Sequence, residues 1–138
     1  MSDPDLLVDT SVAVALVLEG HEAHEETFTA LDDHVLGLAG HAWFETYSVL
    51  TRLPSPLRRM PTEITEIMRR NFPESRFLPE AAANELASRL AGLGVAGGAV
   101  YDALVAQVAV TYGLPLATRD QRAIDVYRAL DARVRLIT

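Results

Sequence analysis

Residues 5–19 read Asp-Leu-Leu-Val-Asp-Thr-Ser-Val-Ala-Val-Ala-Leu-Val-Leu-Glu, and this stretch decides the fold. Asp5 to Asp9 is a short apolar run closed by acids, the pattern of a buried strand, and Thr10 to Glu19 predicts a helix with hydroxyl residues at its start. The same alternation recurs outward from it. A helix is expected over Glu22 to Leu31, a strand over His34 to Ala39, and a helix from His41 to Leu53 that Pro54 ends. Beyond a Pro-Ser-Pro loop, Thr62 is the expected cap of a helix reaching Asn71, and Pro79 starts an Ala-rich helix that runs out at Gly92. After a break at Gly94 to Gly98 come a helix over Ala99 to Tyr112, a strand over Leu114 to Thr118, a helix over Asp120 to Leu130 and a strand over Val134 to Ile137. Strands alternating with helices predict a compact α/β fold, with a mostly parallel central sheet flanked by helices on both faces, in one domain over residues 1–138.

Composition narrows the chemistry. With 138 residues, 49% of them hydrophobic, the chain can bury a core without a disulfide or a structural metal. The absence of Cys excludes thiolate catalysis, Cys-ligated zinc and dithiol redox chemistry. The longest wholly apolar run, Val12 to Leu18, is too short to span a bilayer, and Met-Ser-Asp-Pro-Asp opens without a positive segment, so a cytoplasmic address with no membrane contact is expected. The net charge of −7 is unevenly spread: ten acids and no Lys or Arg precede Arg52, whereas twelve Arg accompany nine acids from there on. Lys is absent throughout, so every fixed cation is a guanidinium and any lysine-dependent mechanism is excluded.

In parallel sheets ligands sit beyond the carboxyl ends of the strands, so Asp9 and Asp120 are expected on one edge. Each also suits a helix cap. Glu45 falls on a polar stripe with His41, Ser48 and Arg52, on a helix whose Trp43, Phe44, Tyr47, Val49, Leu50 and Leu53 are apolar. Such a stripe lines a wet groove or faces solvent. Asp102 is more informative, because Gln107 is the one other polar side chain between Ala99 and Val110 apart from the Tyr101 hydroxyl. Its helix is expected in the core, where the N-terminal dipole offers about 0.3–1 kcal/mol. Burying a lone carboxylate costs several kcal/mol, so an Arg, a raised pKa or a metal ion must balance it. Four such acids in one cleft repel unless a divalent cation joins them. An all-oxygen set suits Mg²⁺ or Mn²⁺ rather than zinc, and Mg²⁺ commonly shares its site with substrate phosphate.

Four segments then carry a family resemblance. They are Asp9-Thr-Ser, His41-Ala-Trp-Phe-Glu-Thr-Tyr-Ser-Val-Leu-Thr-Arg-Leu-Pro, Gly97-Gly-Ala-Val-Tyr-Asp-Ala-Leu-Val-Ala, and Leu116-Ala-Thr-Arg-Asp-Gln-Arg-Ala-Ile-Asp-Val-Tyr-Arg-Ala-Leu. In order and spacing the chain resembles a PIN-domain ribonuclease of the VapC toxin type. The resemblance implies that Asp9, Glu45, Asp102 and Asp120 are the catalytic, metal-binding quartet, holding Mg²⁺ or Mn²⁺ and activating the hydrolytic water. It matches Thr10, Ser11 and Thr118 to the family's supporting hydroxyls. It further implies cleavage of structured RNA to a 5′-phosphate and a 3′-hydroxyl, a homodimer, and inhibition by a cognate antitoxin. A basic antitoxin side chain is expected to enter the acidic cleft.

Other features suggest less. His21 and His24 stand beside Glu22, Glu25 and Glu26 as a conceivable chelating group, although the stretch reads as a solvated acidic helix. Gly94 to Gly98 lacks the Gly-Lys-Ser/Thr of a phosphate loop and reads as a turn letting backbone approach the cleft. Arg58, Arg59, Arg69, Arg70 and Arg76 form either an RNA-binding flank or a solvated face, and Asp125 reads as solvated. Two competitors remain. An aspartyl-phosphate enzyme also places acids at strand ends, but a receiver needs the missing lysine, and Asp9-Thr10-Ser11 lacks the second Asp of a haloacid-dehalogenase-like phosphatase. The other is an inactive PIN-like binding module, disfavoured by the intact quartet.

Overall fold

The computed structural model of the chain describes residues 5–138. Four short parallel strands, β1 (Leu6–Val8), β2 (Leu36–Leu38), β3 (Leu116–Thr118) and β4 (Val134–Leu136), form one sheet in the order β2-β1-β3-β4. Every residue of β1, β2 and β3 is buried. That is the burial of a parallel sheet covered on both faces, as the apolar runs predict. Each strand is only three residues long, shorter than the sequence suggests, and Ala39 instead makes an isolated bridge with Arg76.

Seven α-helices occur among the described residues: α1 (Thr10–Val17), α2 (His24–Leu31), α3 (His41–Thr51), α4 (Pro61–Asn71), α5 (Glu80–Arg89), α6 (Ala99–Tyr112) and α7 (Ile124–Ala129). None is long and apolar enough to cross a membrane. Two boundaries correct the sequence reading. Thr62 is not the cap of α4: Pro61, whose ring presets helical φ and whose missing N–H costs nothing there, is its first residue, and Glu63 accepts from the Met60 N–H at 3.3 Å. The expected helix from Asp120 is split, with a tight 3-10 turn over Gln121–Ala123 before α7.

Helix α3 departs further from expectation. Its buried face is Ala42, Thr46 and Leu50, spaced one turn apart, while Trp43 and Tyr47 are only half-buried and Phe44 is exposed. Small residues let α3 lie close to α1 and α6, and the large rings are displaced to its flanks. Close approach also explains Gly37, where a Cβ would meet the Glu74 carbonyl oxygen at 2.0 Å. The segment through Glu74 and Arg76 thereby covers the β2 edge, donating to Leu36 O at 3.2 Å and Leu38 O at 3.1 Å. At the Gly94 to Gly98 turn, positive φ at Gly94 and Gly97 is what glycine supplies; no neighbour crowds either.

The order β2-β1-β3-β4 places a switch point between β1 and β3, where successive connections leave in opposite directions. A crevice opens at the carboxyl ends of strands at such a point. Asp9 ends β1 there, and Thr118 ends β3.

Candidate active site

Asp9 is 4% exposed and saturated with donors. Ser11 Oγ donates to its Oδ1 at 2.6 Å and the Val12 N–H to the same oxygen at 3.2 Å. Thr118 Oγ1 donates to Oδ2 at 2.5 Å, and the Tyr127 hydroxyl donates there at 2.8 Å. Asp9 therefore does cap α1 and is also held from two other parts of the chain, the β3 end and α7. Burial and the Asp9 charge, with the hydrogen bond to it, push the Tyr127 phenol far above its usual range, so it remains a donor.

The β3 end is wired to the same corner. Thr118 Oγ1 accepts from the Asp120 N–H at 3.0 Å, and Ser11 Oγ accepts from the Arg119 N–H at 2.9 Å. The Arg119 guanidinium reaches Glu26 on α2 at 2.9 Å. Asp120 caps the 3-10 turn through the Arg122 N–H at 3.0 Å, and its side chain remains 38% exposed. Of the three expected supporting hydroxyls, Ser11 and Thr118 touch Asp9, whereas the Thr10 hydroxyl is buried without a hydrogen-bond partner.

Helices supply the other two acids. Glu45 on α3 stands 3.7 Å from His41 Nε2, one turn earlier, and Asp102 lies one turn into α6. Burial, then the charges of Asp120, Glu45 and Asp9 in that order, push the Asp102 carboxyl up to about 6. All four acids thus act on one point, from two strand ends and two helices. Of the three ways to balance a buried acid at this position, the fold by itself shows the raised pKa.

Among the described residues no three His, Asp or Glu side chains converge as a cage for an ion. The donor set nevertheless fits a hydrated Mg²⁺ or Mn²⁺, which takes one or two carboxylates and keeps several waters. A cation near Asp102, Asp120 and Glu45 would offset the burial and the repulsion that raise the Asp102 carboxyl.

The weaker candidates fall away from this corner. His21 Nδ1 accepts from the Ala23 N–H at 3.0 Å within its own turn, and His24 Nδ1, 2.9 Å from the Ala15 carbonyl, fastens α2 to α1, while Glu22, Glu25 and Glu26 are exposed, as a solvated acidic face requires. Arg58 donates to Leu53 O, Arg59 pairs with Glu63, and Arg76 bonds to Glu74. Asp125 is exposed, as expected. Sequence reasoning missed Tyr127. Its signal was position alone, on the buried face shared with Ala123 and Leu130.

Acids gathered at the switch point of a small parallel α/β sheet define a class, and the PIN domain pattern matches residues 6–129. The chain belongs to the PIN-domain family, of the VapC type. It is 42% identical over 131 residues to ribonuclease VapC27 of Mycobacterium tuberculosis, covering 95% of this chain and 96% of that one. It is 43% identical over 132 residues to ribonuclease VapC40 of the same species, covering 94% and 97%. Its fold is also similar to that of DNA-bound VapBC from Salmonella typhimurium, with a TM-score of 0.70 at 19% identity and full coverage of both chains.

Proposed function

We propose that the chain is a metal-dependent endoribonuclease and the toxin of a toxin–antitoxin pair, its quartet Asp9, Glu45, Asp102 and Asp120 holding Mg²⁺ or Mn²⁺. The observation that carries this is the Asp102 carboxyl, raised to about 6 by burial and three other acids at one sheet edge. Likeness to the two mycobacterial ribonucleases supports the substrate class. When bound, the metal supplies an acidified water and neutralises charge on the attacked phosphate. Asp9 is the fixed anchor, oriented by Ser11, Thr118 and Tyr127. Asp120 is held at the rim by backbone bonds from its own turn, and Glu45 and Asp102 complete the anionic wall. A bound cation would lower the Asp102 carboxyl from about 6 and favour its ionised form. Water adds to phosphorus as the bond to the 3′-oxygen breaks, and that oxygen leaves with a proton, giving a 5′-phosphate and a 3′-hydroxyl.

The same wall favours a basic antitoxin side chain in competition with metal, and the VapBC fold likeness supports a partner of that kind. A homodimer is part of the proposal, supported by the exposed Phe44 and Phe77, whose rings lie 6.1 Å apart. Action on cellular RNA places the protein in the cytoplasm. Incubating labelled RNA with the purified chain in Mn²⁺ and in chelator tests the reading: cleavage is expected only with metal. Cleavage that survives chelator overturns the metal dependence, and none under either condition overturns the nuclease.

A further inference from the structure

The His41 and Tyr101 rings stack, with centroids 4.8 Å apart and planes 15° from parallel. Apart from the His41–Glu45 contact, nothing in the acidic corner uses the pair. Yet it borders that corner through His41, which stands 3.7 Å from Glu45, and Tyr101 lies on α6 in the same turn as Asp102. Tyr101 is 51% exposed although its partner covers one face. An exposed aromatic held flat by a second ring is preorganised, because its rotamer is fixed before any ligand arrives.

We infer that the His41–Tyr101 stack is a nucleobase platform, on which a base of the bound RNA strand lies against the open face of Tyr101 beside the acidic cleft. The inference rests on the ribonuclease reading and adds to it the part of the strand that is gripped. Charge favours a base over a phosphate as the group bound here. Glu45 adjoins the His41 ring and repels phosphate, while Arg58, Arg59 and Arg76 make contacts elsewhere in the chain. Stacking needs no counter-charge and tolerates any base, since every base has a π face. Tyr101 is accordingly a binding residue, and His41 a positioning residue that acts through it.

The test uses the full chain and a short single-stranded oligoribonucleotide carrying 2-aminopurine, whose fluorescence is quenched on stacking. Ca²⁺ replaces Mn²⁺ in the binding arm, and cleavage in Mn²⁺ gives KM and kcat separately. Tyr101→Ala and Tyr101→Leu are expected to weaken binding and raise KM about tenfold with the quench lost, the loss falling on KM more than on kcat. Tyr101→Phe keeps the ring and should restore affinity and quench. His41→Ala, which frees the ring, should give a smaller loss of the same kind. If Tyr101→Ala binds and quenches like the wild type while the wild type cleaves, the platform is wrong and the ribonuclease reading stands. A Tyr101→Phe as weak as Tyr101→Ala assigns the effect to the hydroxyl and also overturns the platform. A wild type that neither cleaves nor binds overturns both.

Discussion

Two regions of the acidic corner hold the same functional group in opposite ways. Around Asp9 the carboxylate is sealed in and loaded with four donors, so its position and orientation are fixed before any ligand arrives. At the α6 side Asp102 meets other acids, so its charge depends on what else is present. The difference teaches that two acids proposed for one metal site need not share a role in stability. One acid organises the fold locally; the other strains it.

The largest effect expected treats the two regions alike. Asp9→Asn and Asp102→Asn should each lower RNA cleavage in Mn²⁺ on the order of a hundredfold or more, since each removes charge from the transition-state environment. Glu45→Gln and Asp120→Asn should behave similarly. Wild-type rates in any two of the four would dissolve the quartet.

Stability should then separate them. Asn at position 9 turns an amide NH₂ toward the Thr118 or Tyr127 hydroxyl, and the Thr118 hydroxyl already accepts from Asp120. That mismatch should cost about 1–3 kcal/mol in chelator, measured by urea unfolding. A metal-free Asp9→Asn as stable as wild type would show that the donors around Asp9 are not what fixes it. Tyr127→Phe probes the same corner more gently: removing one donor while three remain should cost about 1 kcal/mol and lower cleavage only several-fold. Loss of cleavage as deep as that of Asp9→Asn would instead make the phenol part of the chemistry.

Much of this was legible in the sequence, and the limits have physical causes. The strand–helix alternation and the two strand-end acids follow from local patterning, because a buried strand and a cap residue advertise themselves within a few positions. Strand order does not, since it depends on which crossover pairs with β1 rather than on any residue in it. The aromatic residues of α3 mislead for a related reason: hydrophobicity alone marks Trp43 and Phe44 as core, yet Ala42 and Thr46 take that face because only small side chains fit the close helix contacts. Tyr127 was invisible because a half-polar ring on an apolar stripe looks like packing until its hydroxyl is seen to reach Asp9, 118 positions away.

The smallest effect is the one that tests the strained acid most directly. The Asp102 carboxyl sits at about 6 in the fold against an ordinary 3.8, so the metal-free fold favours its protonated form more than the unfolded chain does. A raised carboxyl contributes its stability fully below pH 3.8 and loses it as pH rises through about 6. Asp102→Asn, which stays neutral, is free of that loss. In chelator the variant should therefore melt close to wild type near pH 4 and above it at pH 7.5, by about 1 kcal/mol once solvent screening of a partly exposed group is allowed for. Mn²⁺ should reverse the order at pH 7.5, because only the wild type gains the full RT ln(1 + [L]/Kd), about 2.7 kcal/mol at a hundredfold excess over Kd. A melting difference that is the same at both pH values would mean that the neighbouring acids do not oppose the charge on Asp102. An unchanged order in Mn²⁺ would mean that relief of that opposition is not what binds the ion.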